Sequence, residues 1–418
     1  MGKKVVIVGG GFAGLGAART LASHGQSELI MLEGGQRVGG RANTRDVPGL
    51  GRVEFGATYF HGLEGHPLYD AAVDKLMNPI ETKEHRWGFL AEGGQLPLSS
   101  AEQQQVSSAL KAFDKAVESS VAAGKKHRSY TLGEHLQQTL EESCQGLSPE
   151  GRDMLLKAWR WHELQLRINT AAPASTAIST EWWADYEELT GPNVPITCGF
   201  QAVAEALAEG LDIRYGHTVD LMQWDQSGVK LHCANGATFE ADAAIVTVSL
   251  GILKARHQQL FQPALPEAKA HAIQALGFGV CEKVFVQAHS YSREKYTGEA
   301  GRMWGNSSGE VAHTAASHAP CGLPAPAESQ QCACLWLAGA AAEEMDQQSD
   351  ERVIEGLEAV LRAFPALPQT SGGHRPRGRL FFAGEATTSR HMGTMHGAYL
   401  TGQDAARAVI DSLAESKL

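Results

Sequence analysis

Short apolar runs separated by a helical pattern open the chain. Val5 to Val8 is continuously apolar, glycines follow at positions 9, 11 and 14, and an Ala- and Leu-rich stretch with helical spacing continues to His24. A second apolar run, Leu29 to Leu32, ends in Glu33. Continuous apolar runs of this length are typical of parallel strands that are buried on both faces. The pattern therefore predicts a βαβ unit.

Two further changes of pattern divide the rest of the chain. Helical patterns with few strands run from His66 to Trp183, and short strands and turns resume near Gly199, with a hairpin predicted at Asn235-Gly236. Near the C-terminus, a strand again leads into a glycine, an acid and a long helix, which indicates a return to the first unit. Predicted helices cover 101–121, 149–167, 201–209, 266–276, 349–364 and 396–413, and predicted strands cover 213–215, 218–221, 229–233, 238–240, 243–248, 283–287, 332–337 and 380–383.

The spacing of the first three glycines, G-x-G-x-x-G between a strand and a helix, predicts a dinucleotide site. Gly9 permits the tight turn, Gly11 lets the backbone approach a pyrophosphate, and Gly14 lets helix and strand pack closely. The phosphates are expected on free N–H groups at the positive end of the helix dipole. Glu33 lies 19 residues after Gly14, where an acid that binds ribose hydroxyls is expected, and it disfavours a 2′-phosphate.

Composition narrows the class of protein. The 418 residues include 43% hydrophobic and 20% charged residues, as in ordinary globular proteins, and the length predicts two or three domains. The net charge of −11, with no basic tract, argues against nucleic acid as the main partner. Seven cysteines without a C-x-x-C pair favour a reducing compartment. No apolar run approaches membrane-spanning length, and no signal peptide precedes the first strand, so no membrane association is expected.

The last three residues, Ser416, Lys417 and Leu418, match a peroxisomal address that is read by an import receptor. They predict a peroxisomal protein in a eukaryotic source, or a cytoplasmic one if the address is not read.

Further residues stand out less clearly from the sequence. Arg41 follows two glycines, which would let backbone and guanidinium reach one pyrophosphate together. His61 follows an aromatic run, and the residues alone favour a satisfied, half-buried histidine. Lys283 heads an apolar strand, where a lysine is usually solvated. The HELQL stretch is not a zinc motif, because Leu166 stands where the second histidine is needed, and no metal site is predicted.

These blocks together resemble the flavin-dependent amine oxidase family, and within it the polyamine oxidases. The resemblance runs over most of the chain in the family's order. Its most specific parts are VVIVGGGFAGLGAA, E-x-x-x-R-V-G-G-R, VEFGATYFHG at 53–62, LGFGVCEKVF at 276–285, and LFFAGEATTSRHMGTMHGAYLTG at 380–402.

The resemblance implies an α/β fold with a Rossmann-like FAD-binding domain and an interleaved α+β substrate-binding domain. The implied FAD-binding domain comprises residues 1–70, 196–265 and 375–418, and the substrate-binding domain comprises 71–195 and 266–374. FAD would be held non-covalently, because the C-terminal block contains no cysteine to attach it.

The resemblance also implies roles for individual residues. Lys283 would hold a water against the flavin, and His61 would contact or orient the substrate. Glu33 would bind the adenosine ribose, Arg41 the pyrophosphate and Val219 the adenine, while Glu385 would lie by the pyrophosphate and ribitol. The implied cofactor-binding residues are Gly9, Gly11, Phe12, Ala13, Gly14, Glu33, Gly34, Arg41, Gly56, Ala57, Thr58, Val219, Gly384, Glu385, Thr394 and Met395, and the implied substrate-binding residues are Tyr59, His61, Glu163, Trp183 and Thr394.

The activity implied is oxidation of a polyamine, such as spermine, spermidine or an acetylated form, to an aldehyde and a shorter amine, with O₂ reduced to hydrogen peroxide. We expect a monomer. One alternative is a flavin-binding paralogue or isoform with little oxidase activity, because a segment usual in the family is missing between Pro365 and Arg379. Another is a related amine oxidase, amino-acid oxidase or histone demethylase.

Overall fold

A computed structural model gives the fold of the chain. It describes residues 3–26, 28–47, 51–69, 88–90, 100–124, 131–183, 186–194, 196, 198–288, 301–303, 313–315, 331–338, 348–349, 352 and 380–415. The predicted helix at 349–364, the interval from Pro365 to Arg379, and the C-terminal tripeptide Ser416-Lys417-Leu418 lie almost entirely outside these residues.

A five-stranded parallel sheet forms the centre of the fold. The first strand is fully buried and pairs on one side with the second strand and on the other with a strand from the middle of the chain. The last strand of the chain then pairs with that middle strand. The strands are β1 (Val5–Val8), β2 (Leu29–Leu32), β6 (Ile213–Arg214), β10 (Ala243–Val246) and β16 (Leu380–Phe382), and their order in the sheet is β16-β10-β1-β2-β6.

Alternate residues of β1 support two different cores, which explains why the run is continuously apolar. Val5 and Ile7 belong to one core, and Val6 and Val8 to the other. On the first face lie helices α1 (Phe12–Ser23), α6 (Phe200–Ala208) and α9 (Met395–Glu415). On the second lie a four-stranded sheet of β7 (Val219–Trp224), β8 (Val229–Cys233), β9 (Thr238–Ala241) and β11 (Phe261–Gln262), and helices α7 (Leu250–Leu260) and α8 (Glu267–Ala275).

Glycines let α1 and α9 approach at backbone distance. A Cβ on Gly16 would overlap the carbonyl of Tyr399, and one on Gly402 would overlap the carbonyl of Ala13. The first and last described helices are therefore packed directly against each other, so the C-terminal part of the chain supports the glycine loop.

The helical section has a core of its own. It contains α2 (Ser100–Gly124), α3 (Leu132–Ser143), α4 (Pro149–Thr170) and the short α5 (Thr180–Trp183), and Phe113 and Trp159 pack at its centre. Two of its helices begin with a side-chain N-cap of the usual residue type. Thr131 and Glu134 form a capping box at α3, and the Ser148 hydroxyl accepts from Gly151 N at α4.

Smaller sheets complete the described architecture. β12 (Cys281–Ala288) pairs antiparallel with β15 (Gln331–Ala338), which also pairs with β14 (His313–Ala315). β3 (Thr44–Val47) and β4 (Gly51–Glu54) form a hairpin, and β5 (Gly88–Leu90) pairs with β13 (Gly301–Met303).

The α/β class with a parallel, Rossmann-like sheet is confirmed. Predicted elements within the described residues are found to within a few residues, including the Asn235-Gly236 hairpin, where Gly236 takes a φ of +86°. The sequence prediction missed helices α3, α5 and α7, the β3–β4 hairpin, and the short strands β5, β11, β13 and β14. The division into two discontinuous domains stays a prediction. Over the part of the chain that the structure describes, no helix has the length and apolar character needed to cross a membrane.

Candidate cofactor and active site

The glycine loop between β1 and α1 has the geometry that its spacing predicts. Gly9 takes a φ of +110°, in the left-handed region that favours glycine, and a Cβ on Gly14 would overlap the Gly9 carbonyl. An added Cβ on Gly11, in contrast, would meet nothing within 4 Å. The first turn of α1 has neither a side-chain cap at Gly11 nor an acidic residue. Its positive end is thus left for an external anion, which fits a pyrophosphate.

Glu33 is held by the backbone beside this loop. One carboxylate oxygen accepts from Gly10 N at 2.7 Å and the other from Gly35 N at 2.6 Å. The segment 214–218 lies against Glu33 and Gly34, because Glu33 N donates to the Arg214 carbonyl and a Cβ on Gly34 would contact Thr218. The structure therefore places Glu33, Gly34 and the Thr218–Val219 segment together, as a ribose and adenine site requires.

Arg41 and Glu385, which are 344 positions apart, form an ion pair close to the glycine loop. The guanidinium donates to both carboxylate oxygens at 2.8 Å, while the Arg41 side chain stays 67% exposed. Gly39 N donates to the Gly10 carbonyl, which fixes this loop against the glycine loop. An exposed, oriented guanidinium beside an uncapped helix end fits the diphosphate of FAD.

Gly384 and Thr394 shape the start of the C-terminal helix. Gly384 follows β16 with a φ of +146°, and its N–H donates to the Thr401 hydroxyl at 3.0 Å. The Thr394 hydroxyl accepts from Gly397 N at 2.9 Å, which makes Thr394 the N-cap of α9, with Met395 as the first helical residue. The cap role of Thr394 was not anticipated, and it leaves the predicted contacts with flavin and substrate untested.

Lys283 lies against the loop that follows β4. Its ammonium donates to the Glu54 carbonyl at 3.0 Å, to the Thr58 hydroxyl at 2.6 Å and to the Gly56 carbonyl. The same loop is bound to the Arg41 backbone, because Ala57 N donates to the Arg41 carbonyl at 3.2 Å. The loop 56–58 therefore connects the predicted catalytic lysine with the diphosphate end, and Lys283 is not a freely solvated strand-end lysine.

His61 lies just beyond this loop in the sequence. The His61 residue is exposed to solvent. Its Nδ1 lies 3.1 Å from Asn193 Oδ1, and its ring centre lies 6.3 Å from that of Tyr59. Burial against the surrounding atoms lowers the pKa of His61, although the Asn193 hydrogen bond and the charge of Glu188 act in the opposite direction. The imidazole is therefore neutral near pH 7.

A cluster of further histidines packs beside His61. The His396 ring centre lies 4.7 Å from that of His66 and 4.9 Å from that of His391. Burial, with smaller effects of neighbouring histidines, lowers the pKa of His66 to about 4 and that of His396 to about 3. His66 Nδ1 accepts from Leu68 N and Tyr69 N, so its proton is on Nε2.

The segment 186–194, which we call the rim, borders the histidines and carries two exposed acids. Glu188 interacts electrostatically with His61 and with Tyr186, and Glu187 forms an ion pair of 3.5 Å with Arg390. Tyr186 stacks on Trp183 with ring centres 6.3 Å apart. Trp183 thus lies next to this segment, and its substrate contact stays a prediction, whereas the described hydrogen bond of Glu163 is with Ser175, inside the helical section.

The sequence prediction missed several residues that the structure brings together. Glu54, His66, Glu188, His391 and His396 were not nominated, although Glu54, His391 and His396 lie inside the quoted blocks. Their grouping depends on contacts between distant segments, so no local spacing signals it.

Comparison with known proteins decides the family. Residues 12–373 and 363–410 match the family described as flavin containing amine oxidoreductase. The chain belongs to this family. As a member of this family, the protein is a flavin-dependent amine oxidase with FAD as its cofactor.

Similar curated proteins cover nearly the whole amine oxidase chain. Polyamine oxidase 2 of Arabidopsis thaliana is 29% identical over an alignment of 449 positions that covers 96% of this chain and 87% of that protein. Polyamine oxidase 1 of Oryza sativa subsp. japonica is 28% identical over 494 residues, covering 96% and 95%. Lysine-specific histone demethylase 1 homolog 2 of Arabidopsis thaliana is 30% identical over 440 residues, covering 95% of this chain but 57% of that protein.

Solved structures agree in fold. Cyclohexylamine oxidase from Brevibacterium oxydans IH-35A superposes with a TM-score of 0.72 at 20% identity, over 99% of this chain and all of the other. Putrescine oxidase bound to putrescine gives a TM-score of 0.66 at 17% identity, over 98% and 99%. Within the described residues no group of His, Cys, Asp or Glu has the arrangement of a metal site. The roles of the individual site residues stay predictions.

Proposed function

We propose that this amine oxidase acts on polyamines, namely spermine, spermidine or their acetylated forms. The products would be an aldehyde, a shorter amine and hydrogen peroxide. The proposal includes FAD bound non-covalently and import into the peroxisome, an organelle that disposes of peroxide.

One observation carries the choice of substrate: His61 lies beside the segment 186–194, which carries two exposed carboxylates. A polyamine has several ammonium groups, and the nitrogen next to the reacting carbon must be neutral. A neutral imidazole adds no positive charge that would repel the substrate, and its Nε2 can accept a hydrogen bond from the N–H of a neutral amine. Glu188 and Glu187, at the adjoining rim, can hold the remaining positive charges.

The chain's own residues have distinct tasks in this scheme. When bound, FAD supplies a hydride acceptor that O₂ regenerates. Gly11 and the first turn of α1 would bind its phosphates, with Arg41. His61 would orient the amine, and its Nδ1 is fixed by Asn193. Lys283, held by the loop 56–58, would assist proton transfer during regeneration through its ammonium.

The polyamine oxidases of two plants, which match almost the entire chain, support the proposal. Putrescine oxidase was solved with putrescine, a short diamine, and its similarity to this chain supports the fold alone.

A peroxide assay on flavin-loaded protein tests the substrate. Initial rates on spermine, spermidine, N-acetylspermine, putrescine and a simple monoamine are compared at matched concentrations. Clear turnover of at least one polyamine, exceeding that of the monoamine, is expected. If none is turned over by fully loaded protein, the proposal is wrong.

A second candidate function follows from the demethylase relatives. It is tested with a methylated lysine peptide in the same assay, where release of formaldehyde would indicate demethylation.

The alternative of a flavin-binding protein with little activity is tested anaerobically. Under this alternative the flavin stays oxidised in the presence of polyamine, whereas rapid bleaching excludes it.

Localisation is tested in eukaryotic cells. A fluorescent protein fused before the N-terminus leaves Ser416-Lys417-Leu418 free, and its signal is expected to coincide with a peroxisomal marker. A variant with Leu418→Asp should become diffuse. A diffuse signal from both proteins would contradict the proposal.

A further inference from the structure

Glu54 has contacts that neither the motif nor the proposed reaction assigns to a function. It is the last residue of β4, it is half-buried, and it stands directly before the loop that receives Lys283. Its carboxylate and its backbone carbonyl are used for two different tasks.

The carboxylate completes the N-terminus of α6 from outside that helix. The N-cap position is Gly199, with a φ of +79° and no side-chain cap. Instead, Glu54 Oε1 accepts from Phe200 N at 2.8 Å, and the Thr44 hydroxyl accepts from Gln201 N at 3.0 Å. The Thr44 hydroxyl lies 3.0 Å from both Glu54 oxygens, so its own proton is donated to the carboxylate. Two amides that the helix cannot satisfy are therefore satisfied by residues of the β3–β4 hairpin.

The carbonyl and the charge of Glu54 act on the lysine. The Lys283 ammonium donates to the Glu54 carbonyl at 3.0 Å and to two groups of the following loop, and it interacts electrostatically with the carboxylate. Burial raises the pKa of Glu54, while the Phe200 and Thr44 hydrogen bonds and the charges of Lys283 and Arg52 act in the opposite direction. Cys198, whose pKa is raised by burial, also interacts electrostatically with Glu54 and Arg52.

A chain of contacts thus runs from the N-terminus of α6 through Glu54 to the lysine. Both donors to the carboxylate are neutral groups, so its charge is left to act on the nearby cations. An anion at this position favours the charged form of a neighbouring lysine.

We propose that Glu54 is a positioning residue for Lys283. Its carboxylate, held at the N-terminus of α6, keeps the Lys283 amine charged, and its backbone carbonyl directs that amine at the loop 56–58. The importance of this arrangement for the reaction rests on the proposed role of Lys283, but the arrangement itself can be measured without turnover.

The test compares two variants of the full-length, FAD-loaded protein. Glu54→Gln keeps an oxygen for Phe200 N but removes the charge. Thr44→Val keeps the charge and the shape of the side chain but removes the hydroxyl. The titration midpoint of Lys283 is measured by labelling all lysines with trace acetic anhydride over a range of pH and quantifying each peptide by mass spectrometry. Lys230, which pairs with Glu240 on the surface, is the internal control.

Glu54→Gln is expected to move the Lys283 midpoint to lower pH by about one unit, with Lys230 unchanged. Thr44→Val is expected to leave the Lys283 midpoint near that of the unaltered protein, and to lower the melting temperature by about 2–4 °C through the unsatisfied Gln201 amide. The inference is overturned if Glu54→Gln leaves the midpoint unchanged, or if both variants shift it equally.

A further variant covers the case in which Glu54→Gln does not fold. Glu54→Asp keeps the charge but withdraws it from Phe200 N, and it should shift the midpoint by less than half as much as Glu54→Ala. Equal shifts in these two variants would also contradict the inference. Because labelling needs no substrate, a failed polyamine assay leaves this result interpretable.

Discussion

The two ends of the cofactor site are built in different ways. At the adenosine end, the glycine loop and Glu33 come from 30 consecutive positions, and backbone amides make most of the contacts. At the reacting end, Lys283, His61, Glu188 and His391 come from four distant segments, and side chains make the contacts. The adenosine end is thus specified by local chain geometry, whereas the reacting end depends on packing between segments.

This difference predicts where each end is vulnerable. Substitutions at the adenosine end should act on folding or cofactor affinity, depending on which side of the loop they touch. Substitutions and pH changes at the reacting end should act on charge and substrate preference while leaving the loop unchanged.

The largest effect is expected for Gly14→Ala. The added Cβ would overlap the Gly9 carbonyl, so β1 and α1 must separate. We expect a loss of at least about 3 kcal/mol in the free energy of unfolding, or no soluble protein. Urea unfolding of the apoprotein measures it, and unchanged stability would show that helix and strand are not in the contact described.

Gly11→Ala is the matched substitution on the open side of the same loop. The Cβ meets no protein atom and the backbone angles suit alanine, so unfolding of the apoprotein should change by less than about 0.5 kcal/mol. FAD affinity should fall at least about tenfold, or about 1.4 kcal/mol, because the methyl group would block the approach of the phosphates. Fluorescence titration with FAD measures this. Retained affinity would place the phosphates elsewhere.

At the reacting end, acid should destabilise the fold through the histidine cluster. His66 and His396 have pKa values of about 4 and about 3 in the folded protein, below the ordinary 6.5. At a pH between these values and 6.5, the two histidines bind protons in the unfolded chain but not in the folded protein. The stability that is present above pH 6.5 is therefore lost as the pH falls towards 4 and 3. At pH 5 each such histidine costs the folded state about 2 kcal/mol relative to pH 7.5.

His66→Asn separates this effect from general acid sensitivity. Asparagine can accept from Leu68 N and Tyr69 N as Nδ1 does, but it does not titrate. The variant should lose about 2 kcal/mol less than the unaltered protein between pH 7.5 and pH 5 in urea unfolding. His24→Asn, at the exposed end of α1, is the control and should behave like the unaltered protein. The same loss in His66→Asn would contradict the assignment.

The smallest effect is expected for Glu188→Gln. Removing one exposed carboxylate at the rim should raise KM for spermine about two- to fivefold at low salt and leave a monoamine nearly unaffected. Added salt should reduce the difference between variant and unaltered protein. Glu142→Gln, on the exposed face of α3, is the control. An equal change for both substrates would show that Glu188 does not hold a distal ammonium.

The same contrast explains how much the sequence could predict. The βαβ unit, its glycine roles and the hairpin at Asn235-Gly236 were predictable, because each follows from spacing within a short stretch. The position of Lys283 was not, since an apolar strand headed by lysine looks the same whether the amine meets water or a loop 225 positions away. Family resemblance, not periodicity, pointed to it.

Glu54 shows a second limit. It lies in a block that the resemblance identified, yet its side chain caps a helix that begins 146 positions later. Capping by a residue of the same helix can be predicted from sequence, as at Thr131 and Ser148. Capping across the fold depends on which strand ends near which helix, and that is known only once the sheet is assembled.

The position of β16 and α9 has a consequence for biosynthesis. The glycine loop is translated first, but the strand beyond β10 and the glycine-lined contact on α1 come from residues 380–415. A ribosome must therefore have passed this region before the loop has its full support. Nascent chains that terminate earlier should not retain flavin, so in a mixture of full-length and shortened chains the flavin should be found with the full-length molecules alone.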